Sequence, residues 1–169
     1  ENATIAGADF TGVDAQPAKT GWVIGQHLSN TTGSYNPTDM TKLFRFVVNK
    51  GDGSGEWEQG NIKISIFDIK TSVSEHYRYG TFTVGIRRID DTDASPQFQE
   101  VFPGCSLDPQ SANFIARKIG DKSITWDTTE KRHTILGSNA NVSKYVRVEM
   151  NPIVEQGGLE PELLPFGFY

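Results

Sequence analysis

One stretch limits what this chain can become: Phe98 to Gly120, FQEVFPGCSLDPQSANFIARKIG. Phe98, Val101 and Phe102 are strand-forming residues, with Glu100 among them. Pro103 has no amide to donate and Gly104 tolerates positive φ, so a ladder stops there. Ser106-Leu107-Asp108-Pro109 turns the chain. Ser111 is placed to cap a helix over 111–119 through its hydroxyl. Phe114, Ile115 and Ile119 give that helix one apolar face for a sheet. Arg117 and Lys118 suit the negative end of its dipole, and Gly120 suits the position after it.

The rest of the chain reads as short strands. Gly21-Trp22-Val23-Ile24-Gly25 is the one strand pattern in the first forty residues, which are otherwise loosely organised and rich in Gly, Ala, Thr, Asn and Asp. Ser29 to Asn36 reads as a surface loop. Leu43 to Val48 is aromatic and β-branched and reads as a strand with both faces partly covered. Ile62, Ile64 and Ile66 alternate with polar residues, but Phe67 and Ile69 continue in the opposite phase, which requires a bulge or a change of sheet near Ile66. Thr71 to Gly80 is a connection. Residues 81–102 read as an antiparallel hairpin around the Asp90 to Pro96 turn. Short strands follow at Ser123 to Trp126 and His133 to Leu136. Tyr145 to Met150 is a strand with Val146, Val148 and Met150 on one face. The tail, 151–169, holds Pro152, Pro161 and Pro165 and is expected to be extended or turn-rich, outside any sheet interior.

The fold class that follows is α+β with β dominant: antiparallel sheets or a β-sandwich, flanked by one or two short helices. The 111–119 helix is expected across a sheet holding both 81–90 and 145–150. The expected core is Phe46, Ile64, Ile66, Phe82, Val84, Ile86, Phe102, Leu107, Phe114, Ile115, Ile119, Val146 and Val148. At 169 residues the chain is read as a single folded body. Seventeen glycines and eight prolines agree with many turns between short strands. A net charge of −5 argues against nucleic acid as the main partner. The single cysteine, Cys105, leaves no internal disulfide and suits a reducing place of synthesis. No apolar run approaches the ~20 residues of a membrane span, and no signal-peptide pattern opens the sequence.

Candidate sites are few. Asp90, Asp91 and Asp93 cluster as calcium ligands do, but lack the twelve-residue frame and closing Glu, so an acidic hairpin turn is the plainer account. His27, His76 and His133 have no ligand spacing. Gly51-Asp-Gly-Ser-Gly55 has no Walker lysine and no helix is expected after it, so it reads as a flexible loop and not a phosphate cradle. Cys105 lies inside the corner and reads as a packed residue. Asn2, Asn30 and Asn141 satisfy N-x-S/T, which carries no meaning without a secretory signal. Trp22, Trp57, Tyr77, Tyr79 and Tyr145 would line a sugar site if exposed together; core packing is the competing account. The reading assigns no catalytic, cofactor-binding or metal residue.

Ser106-Leu107-Asp108-Pro109-x-Ser111-x-Asn113-Phe114-Ile115-x-x-x-Ile119-Gly120 resembles the corner-and-helix segment of contractile tail sheath proteins, the polymerising subunits of phage tails and related injection machines. Glu100-Val101-Phe102 matches the acidic and aromatic strand end that precedes that corner. Asn141-x-Ser143-x-Tyr145-Val146-Arg147-Val148 is similar to a later strand of the family, and Leu164-Pro165-Phe166-Gly167-Phe168 to its closing turn. Gly51 to Asn61 departs from it, because Glu58-Gln59-Gly60 lengthen the loop before Asn61. The first forty residues match nothing in the family.

The resemblance implies a non-enzymatic structural protein of the virion, assembled in the host cytoplasm. It would stack in rings with copies of itself around a tail tube, above a baseplate. Contraction would drive the tube through the host envelope for genome ejection, with no ATP, no nucleic-acid contact and no membrane contact. Because the chain begins at Glu1, it is expected to be a fragment without the terminal arms, monomeric in isolation. Two other classes compete: a β-sandwich module binding glycans or a receptor, and a hydrolase with a dispersed site.

Overall fold

The computed structural model describes residues 17–27, 36, 39–49 and 55–169. Its elements are β1 (Val23–His27), β2 (Lys42–Val48), α1 (Glu56–Asn61), β3 (Ile62–Lys70), β4 (Thr81–Arg88), β5 (Phe98–Cys105), α2 (Ile115–Ile119), β6 (Ser123–Asp127), β7 (Arg132–Leu136), β8 (Val146–Met150), α3 (Pro152–Glu155) and β9 (Leu163–Phe168). The strands form a four-stranded sheet in the order β8-β2-β1-β9, a three-stranded sheet β3-β4-β5, and a separate β6-β7 ribbon. All of these pairings are antiparallel. The fold is α+β with β dominant.

The two larger sheets share one core. β2 and β4 each have strand neighbours on both edges, and a strand so placed is most easily covered on both faces. In β2, Phe44, Phe46, Val47 and Val48 are buried; in β4, every residue from Phe82 to Arg87 is buried. Phe44 stacks on Phe82 across the sandwich, with centroids 6.0 Å apart and planes 8° from parallel. Of the expected core, Ile64, Ile66 and Phe102 are only partly buried and pack on its margin; the remaining residues are buried.

Local patterning set several details. Val146, Val148 and Met150 are buried on one face of β8, with Arg147 and Glu149 half-buried on the other. The phase change near Ile66 is a bulge between Phe67 and Lys70, with Asp68 at φ 53°. The bulge brings Ile69 back to the core side, whereas Phe67, one residue after Ile66, lies on the outer face by simple alternation and pairs with Phe98, their centroids 5.5 Å apart. Both rings lie over Gly85, where an added Cβ would come within 2.6 Å of the Phe98 ring.

Three expectations need correction. The hairpin strand β4 and the strand β8 belong to different sheets, so α2 does not lie across a shared one. It packs on β8 and on the end of β5, and so joins the two sheets. The helix itself spans Ile115–Ile119 and not 111–119. Phe114 precedes it at φ −54° and ψ 131°, extended geometry that a helix cannot include. Finally, the tail from Asn151 carries α3, capped by its own Asn151 side chain with Pro152 in the first turn, and then β9. β9 is extended and at a sheet edge, outside the sheet interior as expected and where Pro165 is tolerated, so the correction to the tail is α3 alone.

Candidate functional site

The corner after β5 is built from the inside outward. Gly104 takes φ 63°, the left-handed turn that sends Cys105 inward. Cys105 is fully buried, and its thiol donates to the Phe102 carbonyl at 3.3 Å. Burial pushes that thiol up to about 11, so it is inert as a nucleophile near neutral pH. Next, the Ser106 amide donates to Asn113 O at 2.9 Å, and the Ile115 amide donates to Ser106 O at 3.0 Å. The intervening loop is closed like a short parallel bridge. Within it, Ser106 Oγ accepts from the Asp108 amide at 3.2 Å and lies 3.2 Å from Tyr77 Oη. Asp108 Oδ1 accepts from the Gln110 amide at 2.9 Å, and Ser111 Oγ accepts from the Asn113 amide at 3.1 Å. Ser111 thus caps a turn ahead of α2, not α2 itself. Arg117 donates to Ser111 O at 2.7 Å, and Lys118 donates to Pro103 O.

A second cluster ties this corner to β8. Ser143, 3% exposed, donates from Oγ to Glu100 Oε2 at 2.6 Å. The same hydroxyl accepts from the Tyr145 and Val146 amides, each at 3.2 Å, and the Lys144 amide donates to Glu100 Oε1 at 3.0 Å. Glu100 stands on β5 in one sheet, and Ser143 leads into β8 in the other. The clamp therefore joins the sheets. Around it, the Val142 and Ser143 amides donate to Ile119 O at 2.9 and 3.1 Å, and the Val148 amide donates to Gly120 O at 2.8 Å. Gly120, at φ 109°, leaves no room for a Cβ, which would meet Asn141 Cα at 2.3 Å. Asn141 holds both the Lys122 amide, at 3.0 Å, and the Lys122 carbonyl, at 2.8 Å.

The acidic turn after β4 is an ion-pair network. Asp91 has no exposed side-chain surface; it accepts from Arg87 at 2.6 and 2.8 Å and pairs with Lys63 at 2.7 Å. The Gln97 amide adds a donor at 2.6 Å. The Arg87 guanidinium, helped by Lys63 and this amide, holds the Asp91 carboxyl well below the usual carboxylate range despite its burial. Asp93 pairs with Arg87 at 2.8 Å and Asp90 with Arg88 at 2.6 Å. Each carboxylate is thus met by an arginine. Among the described residues, no group of three or more His, Cys, Asp or Glu side chains is placed to hold a metal ion.

The other candidates fall apart in space or become structural. Trp57 stacks on Tyr145 at 6.0 Å, Tyr77 lies 5.9 Å from Tyr79, and Trp22 sits under the Arg45 guanidinium at 4.6 Å. The rings thus form three separate contacts, one on each of three elements' surroundings. His76 is exposed in the 71–80 connection, and His133 meets Trp126 edge-on at 5.0 Å. Asn2, Asn30 and Gly51 to Ser54 lie outside the described residues, as does the His27 side chain. Contrary to expectation, a helix does follow Gly55: α1, six residues long. Its first turn carries Glu56 and Glu58, which would repel a phosphate. Sequence reading gave no hint of an open groove of about 520 Å³ between Thr71–Glu75 and Glu162, where Arg78 and Glu162 form an ion pair. Its walls come from segments far apart in the chain, with no periodicity to connect them.

No family model, curated protein or solved structure matches the chain.

Proposed function

We propose that this chain is the folded body of a contractile tail sheath subunit, a building block that polymerises around a tail tube and carries out no chemistry. One observation carries the reading. Most of the positions on which the resemblance rests, Glu100, Ser106 to Gly120 and Asn141 to Val148, meet around α2, where several of their side-chain polar atoms hold neighbouring backbone; Leu164 to Phe168 is in β9, at the opposite edge of the sheet from β8. Groups spent on backbone geometry are poor candidates for binding or catalysis, and good ones for keeping a subunit stiff. A stiff body rotates as a unit and exchanges one set of contacts for another, as contraction requires. The energy of contraction would then come from differences between two arrays of contacts, summed over many copies.

The test is immuno-electron microscopy of contractile particles from the organism that encodes the chain. Antibody against the chain should decorate the tail at regular intervals along its length. Unlabelled tails would overturn the proposal. Label confined to the tail tip would favour the second reading, a glycan- or receptor-binding module. That alternative has one observation behind it: Trp57 is 56% exposed with one ring face on Tyr145, an arrangement that can stack a sugar. Loss of glycan-array binding in Trp57→Ala would support it.

A further inference from the structure

The sequence contains three adjacent pairs of basic residues: Arg87-Arg88, Arg117-Lys118 and Lys131-Arg132. The fold locks two of them. Arg87-Arg88 ends β4, the central strand of its sheet, and Arg87, 7% exposed, is paired with Asp91. Arg117-Lys118 lies in α2 between the buried Ala116 and Ile119, and both side chains donate to backbone carbonyls. The third pair is at the tip of the β6-β7 ribbon, where both residues are exposed. Lys131 takes φ 50° in the turn. Arg132 pairs with Glu130 at 2.5 Å, but both side chains are more than half exposed, so the pair holds little. The ribbon itself opens easily. No residue of either strand is buried, and neither outer edge has a strand neighbour among the described residues. An isolated two-stranded ribbon is marginal in water. A protease takes its substrate as an extended segment, so a folded site must open locally before it is cut. Opening around Arg88 or Lys118 would uncover the core, whereas opening the tip uncovers none of it.

We propose that the peptide bond between Arg132 and His133 is a processing site for an endoprotease whose acidic subsites read two consecutive cations. Lys131 and Arg132 fill those subsites, each charge meeting a carboxylate of the protease. Water adds across the bond, leaving a carboxylate on Arg132 and an amine on His133. The cut removes the turn that sets the strand register, so β6 and β7 come apart. The body stays whole. Asn139 donates to both Asp121 carboxylate oxygens at 2.7 Å and ties the two arms at their base. β8 and β9, both on the carboxy-terminal fragment, remain paired with β2 and β1. Processing thus turns the ribbon from an ordered element into two free arms without unfolding the sheets. None of this rests on the sheath proposal.

Treatment of the native chain with a kexin-type endoprotease, which cuts after paired bases, tests it. Mass spectrometry should find fragments 1–132 and 133–169 as the first products. With each rate taken relative to a synthetic peptide spanning the same pair, cutting after Arg132 should be at least about tenfold faster than after Arg88. The two fragments should elute together in gel filtration as one folded species. Amide exchange should rise at least about tenfold in 123–127 and 133–136 and stay unchanged in β2 and β4. Lys131→Gln with Arg132→Gln should resist the protease and keep the wild-type circular dichroism spectrum. An uncut wild-type chain would overturn the proposal, as would first cuts at either of the other two pairs. So would a ribbon still protected after the cut, or fragments that separate.

Discussion

Asp91 keeps its charge with no exposed side-chain surface, and this gives the fold a pH limit. Its folded-state pKa is depressed, chiefly by Arg87, below an ordinary value of 3.8. The sign follows from linkage: a depressed carboxyl stabilises the fold above its unfolded pKa, and that stability is lost as pH falls toward the folded value. Thermal melts should therefore show a falling midpoint below about pH 4, and Asp91→Asn should flatten that fall while lowering stability at pH 7. An unchanged acid limb in Asp91→Asn would place the acid sensitivity elsewhere. Nothing in the sequence separates Asp91 from Asp90 and Asp93. Only the return of the chain brings Lys63 and the Gln97 amide to one of the three.

At the scale of elements, α2 has five residues, too few to be stable by helix propensity. Ile115, Ala116 and Ile119 are each fully buried, so packing holds it. Leu107, 2% exposed at the corner, belongs to the same cluster. Ile115→Ala or Leu107→Ala should each cost about 2–5 kcal/mol in denaturant melts. A smaller loss would mean that the corner relaxes around the cavity. The apolar side of this helix was legible in the spacing of Phe114, Ile115 and Ile119. Its start was not, because Ser111 offers the same hydroxyl to a turn as to a helix. α1 could not be read for a different reason: Glu56 to Asn61 has no apolar periodicity, and the helix exposes most of its residues.

In the whole molecule, two sheets meet face to face, joined by the Phe44–Phe82 stack, the Glu100–Ser143 clamp and α2. Phe82→Ala removes a fully buried ring from the centre of that contact and should cost about 3–5 kcal/mol, read as a lower denaturation midpoint. A cost near zero would show that the sheets do not depend on this ring for their packing. What the sequence alone determined is which residues face inward: alternation in Ile62 to Ile66 and Val146 to Met150, the phase break after Ile66, and the hairpin from 81 to 102. Those features are local, set by the two-residue period of a strand and by turn chemistry. The tertiary structure alone decided that β4 and β8 lie in different sheets, that Asp91 is the buried acid, and that the β6-β7 ribbon stands uncovered. Each of these depends on partners distant in sequence, and a residue's own pattern records that it must be covered without recording by what.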